Sequence, residues 1–165
     1  MLSFDDLEYV HFFVPGDAQT SGSKRAFVNK KTGRAMIVPA SKKQKPWQDA
    51  VRWAAMEAFA RRNPFEGPIG LDMVFVRARP KGHYGTGRNE GVLKDWAEDR
   101  YPTTKPDLLK LGRAVEDAMT KIIYIDDSQI VEESIKKVYG VKPGVDIIVR
   151  KLKPQQRKDS IDARV

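Results

Sequence analysis

Residues 104–129 read TKPDLLKLGRAVEDAMTKIIYIDDSQ, and the architecture turns on how this stretch folds. Leu111, Ala114, Val115, Ala118 and Met119 recur at three- and four-residue spacing, which predicts a helix over 108–120 with one buried stripe. Asp107 follows Lys105-Pro106 and precedes that helix, so it can either cap it or face a ligand. Nineteen residues further on come Asp126 and Asp127, after the short apolar run Ile122–Ile125. A 13-residue helix rises about 20 Å. A strand running back alongside it would place Asp107 near Asp126-Asp127. Clustered carboxylates repel one another unless a cation neutralises them. The pair of motifs is therefore a divalent-cation site, or else merely a helix cap and a turn.

Outward from this stretch, the hydrophobic pattern alternates between strand and helix periods. Tyr9–Val14 predicts a first strand that Pro15-Gly16 ends. AFVNKKTGRAMIV predicts a β-hairpin whose turn uses Gly33 at positive φ. Pro46 suits the first turn of a helix, with Trp47, Ala50, Val51, Ala54, Ala58 and Phe59 on its apolar side; Arg61-Arg62 suit its end, and Asn63-Pro64 stop it. Ile69, Leu71, Met73 and Phe75 alternate as a strand with one buried face. Residues 77–104 show no period and predict a long functional loop, with one helical turn near 93–97. Ile130–Val138, and the alternation Val145, Ile147, Val149, predict two last strands. The expected fold is an α+β two-layer sandwich, a small mixed sheet covered by two helices. One domain is expected over 1–150, followed by a polar C-terminal tail at 151–165 that is mostly solvated.

The chain has 165 residues, no cysteine and two histidines, His11 and His83. Disulfides, thiolate nucleophiles and zinc–thiolate centres are excluded, so any metal must be held mainly by oxygen, as Mg²⁺, Mn²⁺ or Ca²⁺ are. No apolar run reaches the roughly 18 residues of a membrane span, and the N-terminus lacks the pattern of a secretory leader. The glycines of GHYGTGRN lack a strand–turn–helix frame, so no nucleotide cofactor is expected. The net charge is +8 and unevenly spread. Residues 21–45 carry eight basic side chains and no acid, whereas 126–133 carry four acids and no base. A basic surround with one acidic spot fits a nucleic-acid-processing enzyme, or simply a basic protein with solvated charges. Within this pattern His11 and Trp47 are expected to be structural, while Trp53 could meet a dimer partner.

KPD, a helix ending in EDAMT, and then YIDDSQI together resemble the RusA-like Holliday junction resolvases. VPGDAQTSGSKRAF, KPWQDAVRWAA and RPKGHYGTGRN are similar to that family's N-terminal strand and loop, first helix and basic loop, in the same order. The resemblance covers roughly 10–150. It implies a homodimeric, Mg²⁺-dependent endonuclease, with Mn²⁺ as a possible substitute, that nicks opposed strands of a four-way DNA junction in recombination and repair. It also implies a cytoplasmic setting in a bacterial host and a phage or prophage origin.

By the family pattern Asp107 and Asp127 match metal-binding acids, with Asp126 beside them. Arg113 takes the place of a basic residue later in the helix, and Arg113 or Lys110 could stabilise the phosphate during cleavage. Lys24, Arg25, Lys30, Lys31 and Arg34 could track phosphates. Loop residues Lys81, His83, Tyr84 and Arg88 could enter the junction centre or stack on an exposed base. The family commonly has a second aspartate two residues after KPD; here that position is Leu109. The departure leaves open a relative that binds branched DNA without cutting it.

Overall fold

The computed structural model describes residues 8–154 except 22–23, 40–41 and 61; at 24, 25, 27 and 37–39 only the backbone is described. Six strands and two α-helices form: β1 (Tyr9–Pro15), β2 (Lys24–Val28), β3 (Ala35–Pro39), α1 (Gln44–Ala58), β4 (Ile69–Arg77), α2 (Leu108–Met119), β5 (Ile130–Tyr139) and β6 (Gly144–Lys151). The main sheet has the order β1-β6-β4-β5 and is mixed: β4 and β5 run parallel, while the other neighbours are antiparallel. β2 and β3 form a separate antiparallel ribbon, with Gly33 at φ 66° in its turn. The expected α+β sandwich, a mixed sheet under two helices, is what forms.

The period of two in β4 sends Ile69, Leu71, Met73 and Phe75 into the core, where Val145, Ile147 and Val149 of β6 and Val10 and Val14 of β1 join them. Trp47, Val51 and Ala55, each four residues apart, form the buried row of α1, and the C-cap residue Phe59 continues it. The stripe predicted for α2 is buried throughout. Gly112 lets α2 settle close to the sheet: a Cβ there would lie 3.2 Å from Ile135 Cδ1 and 3.4 Å from Met73 Cε.

Two boundaries differ from the sequence reading. Helix α1 begins at Gln44, before Pro46, because the proline still lies in the first turn, where its missing N–H breaks no bond. It ends at Ala58, short of Arg61-Arg62, because Ala60 takes φ 48° and turns the chain away. The short apolar run at 122–125 packs as a tight turn: Ile123 and Tyr124 are buried, and Lys121 N–H donates to Tyr124 O at 2.7 Å.

The long segment after β4 carries three 3₁₀ turns, at Lys81–His83, Gly87–Asn89 and Asp95–Ala97. Arg79 closes it by donating to the carbonyls of Ala97 and Glu98. Trp47 is buried and Trp53 is exposed. His11 is half exposed and meets Asp146 at 2.9 Å, a strand-to-strand contact between β1 and β6.

Candidate active site

The chemistry-bearing residues lie at the two ends of α2. Asp107 is the N-cap residue, yet its side chain makes no capping bond and is exposed. It lines a cavity of about 590 Å³ with Arg77, Lys105, Lys110 and Lys137 among its walls. β4 brings Arg77 there because its last residue ends at that rim. β5 brings Lys137, whose Nζ donates to the carbonyls of Thr104 and Pro106, both at 2.9 Å. Asp17, on the loop after β1, pairs with Arg77 across the same cavity. Two exposed carboxylates, Asp17 and Asp107, therefore share this cavity with four cations, of which Arg77 is paired with Asp17; the net positive charge suits a phosphate or a phosphate-bound cation.

At the other end of α2, Asp126 and Asp127 open a 3₁₀ turn just before β5. Asp126 is committed to that turn: its Oδ1 accepts from Ser128 N–H at 3.0 Å, and the hydrogen bonds of Ser128 hold its carboxyl below the ordinary range. Gln129 clamps the turn. Its Oε1 accepts from the N–H groups of Ile125 and Asp126, and its Nε2 donates to the carbonyls of Phe65 and Gly67. Asp127 is exposed.

Glu116 and Glu133 lie nearby, between α2 and β5. Burial, the hydrogen bond to Glu133, and the charges of Glu133, Asp117 and Asp127 push Glu116 up to about 7. Tyr124, whose hydroxyl donates to Glu116 O at 3.0 Å, is pushed up as well, mainly by burial.

These positions correct the expectation that one chain folds Asp107 against Asp126-Asp127. The returning strand exists, but it starts after the acids. Lys137, not an aspartate, reaches the Asp107 end, while Glu133 reaches Glu116. The 12 residues of α2 rise about 18 Å between the two motifs. Among the described residues no group of three or more His, Cys, Asp or Glu side chains could hold a metal ion. Each end has carboxylate donors of the right chemistry for Mg²⁺.

The other named residues fall as follows. Arg113 and Lys110 are exposed one turn apart on α2. Lys30, Lys31 and Arg34 are exposed at the tip of the β2–β3 ribbon. The side chains of Lys24 and Arg25 lie outside the described residues. Lys81 and Arg88 are exposed on the loop. His83 is not: it is wedged edge-on between Trp96 and Tyr139, at centroid distances of 5.1 and 5.2 Å. The sequence reading missed Arg77, Lys137, Asp17, Glu116 and Glu133. The first three look like ordinary strand-end and loop residues until the sheet gathers them: the parallel pairing of β4 and β5 joins Arg77 and Lys137, and the loop after β1 adds Asp17. Glu116 carried a signal, a carboxylate on the inward side of an amphipathic helix.

A mixed sheet under two helices, with a basic ribbon beside it and acids at both ends of the second helix, is a RusA-like α+β sandwich. Residues 17–150 match the family model described as Endodeoxyribonuclease RusA, and the chain belongs to that family. It is also similar to a Bacillus subtilis (strain 168) protein named Uncharacterized protein YqaN, at 35 % identity over 88 residues. That match spans 52 % of this chain and 59 % of the relative, less than two thirds of its length.

Proposed function

We propose that the protein is a structure-selective endodeoxyribonuclease that resolves four-way DNA junctions by paired nicks, in recombination and repair. The observation that carries this reading is the exposed Asp107 carboxylate within a cavity walled by Arg77, Lys105, Lys110 and Lys137, in a chain of the RusA family. Lys110 and Arg113 would hold the phosphate, and Lys30, Lys31 and Arg34 would follow the strand beyond it. Such contacts position the DNA without reading its sequence.

The working unit would be a two-fold dimer. Asp107 and Asp127 lie at opposite ends of α2, so a second α2 running the other way would set Asp107 of one protomer beside Asp127 of the partner subunit. Two equivalent composite sites then match the approximate two-fold symmetry of the substrate. Mg²⁺, which takes one or two carboxylates and fills its shell with water and phosphate oxygens, would be held by these two acids; bound there it would supply a Lewis acid and an activated water. Mn²⁺ would substitute. Asp126, already committed to its turn, would orient Asp127.

An end-labelled four-way junction incubated with the protein and Mg²⁺ tests this. Symmetric, ligatable nicks are expected, and they should vanish in Asp107→Asn and in Asp127→Asn. Cleavage unchanged in both variants would remove the acids from the site.

One observation favours a second reading, a branched-DNA-binding protein without cleavage. Leu109 is 71 % exposed at the position where the family commonly carries an aspartate. That reading predicts junction-selective binding and no nicks with either metal.

A further inference from the structure

Trp96 stands out among the exposed apolar side chains because it is both half in water and rigidly held. It sits in the Asp95–Ala97 turn with 51 % of its surface exposed. The His83 ring meets it edge-on at 5.1 Å, and Tyr139 braces His83 at 5.2 Å. His83 Nδ1 is buried with no hydrogen-bond partner, so on that side the imidazole acts through packing. The loop holding these rings is closed by hydrogen bonds from Arg79 to Ala97 and Glu98 and from Lys94 Nζ to Gly82 O.

Two cations lie over the indole ring, Arg100 at 5.0 Å and Lys94 at 5.9 Å from its centroid. Asp95, Glu98 and Asp99 share the stretch, so the surface is not a uniform phosphate track. What it offers is a half-exposed indole with two cations over its ring, so that a base stacking there would meet aromatic surface and positive charge together. That combination suits a nucleobase with its own phosphates beside it. An apolar protein partner would gain nothing from the two cations.

The platform also lies on the right side of the molecule. Its loop leaves β4 at Arg77 and returns to Pro106, and both residues line the cavity that holds Asp107. Its base rests on Tyr139, the last residue of β5, two positions from Lys137.

We propose that Trp96 is a stacking platform for an unpaired base at the branch point of the DNA, next to the strand engaged at Asp107. The proposal rests on the branched-DNA reading above and adds how a junction would be told from a duplex: a junction has bases that can leave the stack, whereas a continuous duplex resists giving one up.

The test uses the full-length protein with a four-way junction and a linear duplex of the same arms. Trp96→Leu should weaken junction binding about tenfold, the scale of one base–aromatic stack, and leave duplex binding unchanged. Trp96→Phe, which keeps a ring, should restore most of the loss. In parallel, 5-iodouracil at the branch point of the wild-type complex should crosslink on irradiation to the peptide containing Trp96, a readout that needs no variant to fold. Equal junction affinity in Trp96→Leu, an equal loss on duplex, or a crosslink only elsewhere would overturn the platform while leaving the nuclease reading standing. Failure of the wild-type protein to prefer the junction over the duplex would instead overturn both.

Discussion

Glu116 of α2 and Glu133 of β5 meet carboxyl to carboxyl across the gap between helix and sheet, and a hydrogen bond joins them. Burial does most to push Glu116 up to about 7, and the hydrogen bond to Glu133 and the charges of Glu133, Asp117 and Asp127 add to it. In strongly acidic solution the group is protonated whether the chain is folded or not, and its stabilising contribution is fully present. As pH rises through about 7 the folded protein gives up a proton that it held more tightly than the unfolded chain would. Stability should therefore fall between about pH 4.5 and about pH 7. Glu116→Gln, which keeps the hydrogen bond without the charge, should flatten that fall and raise the melting temperature at pH 8. Thermal melts across this range check it; parallel profiles for the two proteins would contradict it.

The separation of Asp107 from Asp127 gives a sharper test of the dimer than any single variant. Asp107→Asn and Asp127→Asn should each abolish cleavage. Mixed heterodimers carrying one of each would hold one site with both defects and one with neither. Single nicks should return in the mixture if the sites are built across the two-fold. A mixture as dead as its parents would mean that each protomer works alone.

Leu109, exposed one helical step into α2, marks where an added acid would cost the fold little. Leu109→Asp should lower the Mg²⁺ concentration needed for cleavage roughly tenfold. A Mg²⁺ titration of nicking rate measures this. A variant no more responsive than the parent would show that the position lies outside the site.

Gln129 ties the Asp126-Asp127 turn to Phe65 and Gly67 with both ends of its amide. Gln129→Ala leaves these backbone groups without partners and should cost about 1–3 kcal/mol. Urea unfolding reads the loss, and an unchanged midpoint would deny the clamp.

Gly144 admits no side chain. A Cβ there would lie 2.4 Å from Val14 O and 2.4 Å from Phe13 Cζ, in the pairing of β1 with β6. Gly144→Ala should destabilise the protein by about 1–3 kcal/mol, seen again as a lower urea midpoint.

Much of the fold was legible because its elements are strongly periodic. The alternation of Ile69, Leu71, Met73 and Phe75, and the stripe of α2, each mark a buried face without help from the rest of the chain. The ribbon turn was readable from the Lys-Lys-Thr-Gly sequence between two apolar runs. The candidate site was legible in its residues but not in its geometry. That a strand returns along α2 could be foreseen; that it begins only at Ile130, leaving Asp127 behind at the far end, depends on the clamp by Gln129, whose partners are more than sixty residues away. Lys137 and Arg77 were invisible for a related reason. Nothing in either neighbourhood says that two strand ends will share a rim.

The closure of residues 79–98 by Arg79 bears on how the protein meets proteases. A segment of this length, with several basic residues and little regular structure, is where trypsin would be expected to cut a native protein first. Cleavage requires the backbone to open locally and enter the protease as an extended strand, and the internal bonds made by Arg79 and Lys94 oppose that opening. The irregular loop should therefore outlast its appearance in limited digestion and become the first scissile segment only when Arg79 is replaced.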